Sequence, residues 1–197
     1  MVRDPITNEI IETTALLKNN GTLEAQGIDL DVRYREKFGE GLLGLGLSGT
    51  YYLKYNQSTP GGSSAKIGTI VNPDGSPVIS STAGLEVGVI LRYKQYLSAT
   101  WAQGDWATTL ANSYARGYRG GNDLNDNPTY VDAVSLWDLQ VAYTGIKNAV
   151  ITLGARNILD TDPPLYVPAS QQFMAGYDPT QWDPRGRFVY LTGTLKF

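Results

Sequence analysis

The segment Asp183-Pro-Arg-Gly-Arg187 is the strongest candidate for a binding site in this sequence. In one interpretation, Arg185 contacts an anionic ligand together with Tyr177 and Trp182 of the same loop, because a guanidinium group pairs with carboxylates and phosphates through two hydrogen bonds. In the other, the segment is a rigid turn, since proline fixes φ and glycine supplies the bend, and Arg187 enters a strand. We favour the turn and keep Tyr177, Trp182 and Arg185 as candidate ligand contacts.

Two further motifs resemble ligand-binding sequences. Gly44-Leu-Gly-Leu-Ser-Gly49 has the spacing of a dinucleotide fingerprint, but that fingerprint needs a helix to follow it, and here it lies inside an alternating strand. We expect its glycines to be small residues facing a lumen. Asp123-Leu-Asn-Asp-Asn127 resembles the start of a calcium loop but lacks the turn glycine and the final glutamate, so it predicts a solvated loop.

The composition excludes several kinds of chemistry. The chain has no cysteine and no histidine, which excludes disulfides, thiolate or imidazole metal sites and triads with an imidazole base. No carboxylate pair with separated roles is identifiable, so we expect no catalytic residue, metal or cofactor, and no enzyme. With 16 Lys+Arg against 19 Asp+Glu, the charge argues against a nucleic-acid partner.

Strict alternation of apolar and polar residues predicts an all-β fold of about seven strands. In the last of them Val189, Leu191 and Leu195 share one face, whereas Asp29, Asp31 and Arg33 in the first predict a charged face toward a wet interior. The predicted strands are 22–35, 42–55, 85–101, 106–118, 134–143, 149–157 and 187–197. Residues 1–18 are expected to form a loop that ends in one or two helical turns.

The connections between these strands alternate in length. Long loops at about 56–83, 120–132 and 158–186 alternate with tight turns, a pattern typical of outer-membrane barrels with short periplasmic turns and long extracellular loops. Strands of up to 17 residues are long for a soluble protein. Aromatic residues near the strand ends predict an interfacial girdle; they are Tyr93, Trp101, Trp106, Trp137 and Tyr143. The apolar face is therefore predicted to contact lipid.

Two alternatives remain open at this point. A soluble antiparallel barrel or sandwich, including a barrel that binds a ligand in its cavity, would alternate in the same way with its apolar face inward. Leu45, Leu91, Leu139 and Leu195 would then converge on one dry centre. A small passive outer-membrane barrel, or a membrane-embedded enzyme, would instead form a closed barrel with an even number of strands.

The last fifty residues resemble the C-terminus of TonB-dependent outer-membrane receptors. The resemblance rests on four segments and on the aromatic terminus; the segments are Leu153-Gly-Ala-Arg-Asn157, Asp160-Thr-Asp-Pro-Pro164, Gly176-Tyr-Asp-Pro179 and Asp183-Pro-Arg-Gly-Arg187. Upstream, Asn20-Gly21 and Gly27-Ile-Asp-Leu30 resemble a strand motif of the same family, with Asp29 where glutamate is usual. Tyr190, Leu195 and Phe197 are similar to the signal read by the barrel-assembly machinery, although Gly193 stands one place later than in that pattern.

The resemblance implies an antiparallel up-and-down transmembrane β-barrel in the bacterial outer membrane. Residues 1–197 would be the C-terminal segment of the barrel domain, without plug domain or signal peptide. The whole receptor would use inner-membrane energy, through the TonB complex, to take up scarce nutrients such as ferric siderophores, cobalamin or glycans. The implied partners of this segment are outer-membrane lipid, the remaining barrel and plug, and the assembly machinery.

Overall fold

A computed structural model describes residues 2–12, 21–59, 62–65, 67–72, 78, 89–168 and 175–196. Every regular element in these ranges is a strand, and none of the described residues forms a helix long and apolar enough to cross a membrane. The strands are β1 (Val2–Arg3), β2 (Ile10–Glu12), β3 (Thr22–Phe38), β4 (Gly41–Thr59), β5 (Gly62–Ala65), β6 (Tyr93–Gln103), β7 (Trp106–Ala115), β8 (Tyr118–Asn122), β9 (Pro128–Val131), β10 (Val134–Ile146), β11 (Ala149–Arg156) and β12 (Phe188–Leu195).

Seven long strands form one antiparallel sheet in the order β12-β11-β10-β7-β6-β4-β3. Each of them pairs with its neighbour in this up-and-down path, and β5 adds a short pairing to the end of β4. β3 and β12 lie at opposite edges and do not pair with each other. The all-β, partial-barrel prediction is therefore confirmed.

Short turns and long loops alternate along this sheet, as predicted. The turns at 39–40, 104–105 and 147–148 join β3 to β4, β6 to β7 and β10 to β11, all at one end. Gly39 and Gly104 have φ values of 60° and 55°, a left-handed conformation that glycine adopts without strain. The three long connections, 60–92, 116–133 and 157–187, leave and re-enter the sheet at the opposite end, where their described residues lie.

The register separates an apolar face from a polar face across all seven strands. One continuous row on the apolar face consists of Tyr34, Leu45, Ala99, Leu110, Leu139, Ala155 and Val189. The corresponding row on the polar face consists of Arg35, Gly44, Thr100, Thr109, Gln140, Gly154 and Tyr190. Leu45 is 41% exposed and Leu195 66% exposed, so the dry centre that a soluble barrel requires does not form between them.

Aromatic side chains form two belts on the apolar face. One lies beside the short turns and contains Phe38, Trp101, Trp106 and Tyr143. The other lies near the long loops and contains Tyr51, Tyr93 and Tyr114. The eight residue steps from Tyr93 to Trp101 span about 27 Å along a strand, or about 20 Å along the normal at the usual barrel tilt of about 40°. That height is close to the apolar band of a transmembrane barrel.

The predicted third strand, 85–101, is shorter than expected. β6 begins at Tyr93, and residues 89–92 form no regular strand; residues 85–88 lie outside the described ranges. Val89 and Leu91, predicted to face outward with Tyr93, instead pack in a cluster between the long loops. Val89 and Leu91 do have the two-residue spacing of one strand face, but their side chains pack in a core between the loops and not on the apolar face of the sheet.

Three segments predicted as loops contain short strands. Residues 2–12 hold the β1–β2 hairpin, so that Ile10 and Ile11 lie in a strand and not in the predicted helical turns, whereas 13–20 lie outside the described ranges. The expected loop at 56–83 begins as strand, because β4 extends to Thr59 and pairs with β5. The fourth strand ends at Ala115 and not at residue 118, and the expected loop at 120–132 is largely the β8–β9 hairpin.

Two residues of β4, Tyr55 and Gly49, lie on the opposite face from the predicted one, and for Tyr55 the cause is a register shift. Gly27 pairs with Tyr52 but Gln26 pairs with Lys54, so Leu53 is an extra residue in β4. Beyond this bulge Tyr55 pairs with Ala25, on the polar face, although alternation predicts it to be outward. Gly49, predicted to face the lumen, pairs with Leu30 and Gln95 and belongs to the apolar face.

Candidate functional site

Two residues of the third long loop, Gln181 and Trp182, meet polar-face residues of the sheet. Beneath Gln181 and Trp182 lies an open recess of about 670 Å³. Its polar lining includes carboxylates, an ammonium group and a phenol from the two strands β3 and β6; these are Asp29, Asp31, Lys94 and Tyr96. A recess with one aromatic wall and both signs of charge can bind a polar ligand through stacking and hydrogen bonds.

A second recess, of about 640 Å³, continues the polar face toward the short turns. Arg33 and Arg35 line it, together with Asp31, which borders both recesses. Arg33 Nε donates to Asp31 Oδ1 at 3.0 Å, and Thr50 Oγ1 donates to Asp29 Oδ1 at 2.6 Å. The predicted charge ladder of Asp29, Asp31 and Arg33 thus lies on the polar face with local partners.

A small apolar core, hereafter the loop cluster, holds the long loops together. It consists of Ile70, Val71, Val89, Tyr118 and Val131, with Leu91 and Tyr166 packed against it. These residues come from all three long loops. Burial of apolar side chains is the main favourable term in such contacts, so the loop cluster joins the described parts of the three loops at this end of the sheet.

Backbone hydrogen bonds reinforce the contacts between the loops. Gly121 N donates to Val167 O at 2.7 Å, which joins the second loop to the third. Arg119 N donates to Gly68 O at 2.9 Å, which joins the second to the first. The Arg119 guanidinium donates to the carbonyl oxygens of Gly120, Gly121 and Thr129, and so closes the β8–β9 hairpin.

Of the three predicted ligand contacts, only Trp182 lines this recess. Trp182 lines the recess with Asp29 and Asp31, whereas Arg185 is absent from its lining. Arg185 Nε donates to Asp183 Oδ2 at 2.8 Å, and this pairing raises the Arg185 pKa and lowers that of Asp183. These contacts are those of the rigid-turn interpretation. Tyr177 is half-buried in the same loop.

A hydrogen bond between Asp160 and Arg187, hereafter the Asp160 clip, joins the end of this loop to its beginning. Asp160 Oδ1 accepts a hydrogen bond from Arg187 N at 2.7 Å, and that backbone donor is the main reason why the Asp160 pKa is lowered. At the start of the loop, Asn157 N donates to Asp138 Oδ1 at 2.8 Å. Both ends of the loop are thereby fixed at the rim of the sheet.

The metal and nucleotide motifs show ordinary structural roles. Asp123 Oδ1 accepts from Asn125 N and Asn127 N, both at 2.8 Å, so the carboxylate closes its own turn, and these donors lower its pKa. Among the described residues no group of three or more His, Cys, Asp or Glu side chains could hold a metal. Gly44 and Gly46 line the second recess within β4, with no helix following in the described chain.

The residues predicted as an assembly signal lie on or beyond the β12 edge. Tyr190 is on the polar face, where its hydroxyl donates to Gln140 Oε1 at 3.2 Å. Leu195 pairs with Ala149 at the other end of β12 and is largely exposed. Phe197 lies outside the described residues. Their role in assembly stays a prediction.

Sequence reasoning missed Lys94 and Gln181 in the recess and the buried pair Tyr118 and Asp178 above it. Lys94 was available as a polar-face residue of an alternating strand. Tyr118 was assigned to the end of the fourth strand. Asp178 stands in Gly176-Tyr-Asp-Pro179, and an Asp before Pro is a turn signal that does not reveal burial.

The family comparison agrees with this architecture. A family model described as TonB dependent receptor-like, beta-barrel matches residues 2–158. The chain belongs to this family. The match spans β1 to β11 of the receptor barrel, including the polar-face side of the recess, and the third loop and β12 follow it. No curated protein matches the sequence.

Proposed function

We propose that residues 1–197 are the C-terminal segment of the barrel domain of a TonB-dependent receptor in the bacterial outer membrane. The observation that carries the proposal is the continuous apolar row from Tyr34 to Val189, bounded by two aromatic belts, on a sheet whose other face is polar. An apolar band between aromatic girdles suits a lipid environment.

The open sheet edges support the proposal that further strands complete the barrel. Every residue of β3 is exposed, and most of β12 is exposed as well. Unpaired backbone groups are not tolerated in hydrocarbon, so both edges need partner strands when the sheet lies in a membrane. The remaining barrel strands are the natural partners, and a plug domain would face Asp29, Asp31 and Arg33. The same edges argue against a small barrel made of this sheet only.

The proposed activity of the whole receptor is energy-coupled uptake of a scarce nutrient of the ferric siderophore, cobalamin or glycan class. This segment would supply wall and long loops, with Trp182 and Gln181 at the mouth of the lumen as ligand contacts. Arg185 and Tyr177 would have a secondary role, because the Arg185 guanidinium is paired with Asp183. Energy would come through the TonB complex acting on the part of the receptor outside this segment.

Uptake by cells that express the complete polypeptide tests this proposal. The probes are a ferric hydroxamate siderophore, cyanocobalamin and a maltooligosaccharide, each radiolabelled. We expect one of them to accumulate in energised cells and its uptake to stop when a protonophore collapses the proton gradient. Uptake that continues with the protonophore would indicate a passive pore, and the absence of uptake of all three would contradict these substrate classes.

A further inference from the structure

The turn at 178–182, which carries Gln181 and Trp182 over the recess, is organised by one buried carboxylate. Asp178 is only 2% exposed. Its Oδ1 accepts hydrogen bonds from Thr180 N at 2.9 Å and Thr180 Oγ1 at 2.7 Å. Its backbone oxygen accepts from Gln181 N and Trp182 N at 3.2 and 3.0 Å. The conformation of the turn therefore depends on where Asp178 is held.

The partner that holds Asp178 comes from a different loop. Tyr118, at the start of β8, is 4% exposed and donates from its hydroxyl to Asp178 Oδ2 at 2.5 Å. Burial and the neighbouring carboxylate both raise the Tyr118 pKa, so the phenol stays protonated and remains a donor at neutral pH. The Tyr118 ring is fixed in turn by the loop cluster and by Tyr166, at a centroid distance of 6.4 Å.

Loss of this one hydrogen bond would leave Asp178 Oδ2 buried without its donor. An unsatisfied buried carboxylate oxygen is costly, and the least costly relief is for the turn to move until water reaches it. Movement of the turn would displace Gln181, whose Nε2 donates to Val89 O at 3.4 Å, and Trp182 beside it. Contact between two loops thus sets the position of the residues at the mouth of the recess.

We propose that Tyr118 and Asp178 are a positioning pair that holds Gln181 and Trp182 at the mouth of the polar recess and so limits access to half-buried residues of its lining such as Ser113. This inference rests on the proposed function, in which the recess is the mouth of a receptor lumen. Neither residue lines the recess. Their effect on a ligand acts through the turn at 178–182.

Cysteine labelling at Ser113, a half-buried residue of the recess lining, tests the pair, because residues 1–197 contain no natural cysteine. The complete polypeptide, with any cysteine outside this segment replaced, carries Ser113→Cys and is expressed in cells. A membrane-impermeant polyethylene glycol maleimide is added from outside, and the labelling rate is measured. We expect Tyr118→Phe to raise the rate about tenfold, the factor that one hydrogen bond to a charged group is worth.

Tyr130→Phe is the matched control, since it removes the same hydroxyl from an exposed tyrosine of the same β8–β9 hairpin. It should leave the rate unchanged. Thr180→Val removes another donor to Asp178 and should raise the labelling rate less than Tyr118→Phe does. This second variant keeps the test valid if Tyr118→Phe does not assemble. An unchanged labelling rate in the assembled Tyr118→Phe variant would overturn the proposal. If Tyr118→Phe does not assemble, an unchanged rate in Thr180→Val would overturn it. An equal rise in the rate of Tyr130→Phe would overturn it as well. Labelling does not require transport, so this experiment can contradict the positioning role of Tyr118 and Asp178 independently of the proposed uptake activity.

Discussion

The Trp106 and Tyr143 rings face each other across β7 and β10, with their centroids 4.6 Å apart, on the apolar face beside the short turns. An exposed tryptophan and a half-buried tyrosine packed together at one height suit the boundary between lipid and water, where the ring is buried and its polar edge stays hydrated. Phe38 and Trp101 extend this belt on the neighbouring strands. The belt marks the limit of the apolar band on the side of the short turns.

A charge placed on the apolar face should cost far more than a charge placed on the polar face. Ala99 and Ser98 are adjacent small residues of β6 on opposite faces of the sheet. We expect Ala99→Arg to destabilise the protein in lipid vesicles by about 2–4 kcal/mol. Ser98→Arg should change the free energy of unfolding by less than about 1 kcal/mol, because its side chain reaches water. Urea titration monitored by tryptophan fluorescence measures both, and equal costs would contradict the assignment of faces.

Gly41 should not tolerate a side chain. A Cβ added there would overlap the Trp101 indole ring, which lies across the start of β4. We expect Gly41→Ala to destabilise by about 1–3 kcal/mol through displacement of Trp101 from the belt. Gly44→Ala, three residues along, is the control, since its Cβ would meet only Thr100 at 3.9 Å. If both variants unfold at the wild-type urea concentration, the packing of Trp101 is not as described.

The Asp160 clip predicts a dependence of loop stability on pH. The folded-state pKa of Asp160 is lowered, chiefly by the Arg187 backbone donor. Its contribution is therefore complete above the unfolded pKa of about 3.9 and is lost as pH falls through the folded value. We expect proteolysis of the third loop to accelerate as pH falls below about 4, when measured with pepsin.

Asp160→Asn separates this clip from general acid effects. Asparagine tolerates the positive φ of 58° found at this residue, so the backbone is preserved while the charge is lost. The variant should be cleaved faster than wild type at pH 6, by a protease active there, and show a weaker change on acidification. Asp162→Asn, at an exposed neighbouring position, should behave as wild type. Identical profiles for all three proteins would contradict the clip.

The sequence was sufficient to predict the sheet but not the loops above it. A period of two residues over 10 to 17 positions identifies a strand and both of its faces, and residues such as Leu45 and Leu139 fall where it predicts. Val89 and Leu91 show the same two-residue period, but they pack in the loop cluster. Alternation indicates that one face of a segment is apolar, but it does not indicate what that face contacts. Local patterns cannot distinguish these two cases.

The candidate site was predictable in part. Asp29, Asp31 and Trp182 were named from the sequence, and the structure brings them to one recess. Their meeting depends on the contact of Tyr118 with Asp178, which are 60 residues apart in sequence and come from two loops. Such contacts depend on packing between loops, for which the sequence carries no period and no motif.

Spin labelling along β10 tests most directly whether the apolar face contacts lipid around a wet interior. Single cysteines at Leu136, Trp137, Asp138, Leu139 and Gln140 are labelled in lipid-embedded protein, and collision rates with oxygen and with a water-soluble nickel chelate are measured. We predict high oxygen access at Trp137 and Leu139, and high nickel access at Leu136, Asp138 and Gln140. Low access of both reagents at Trp137 and Leu139 would place these side chains in a dry protein core and contradict the account.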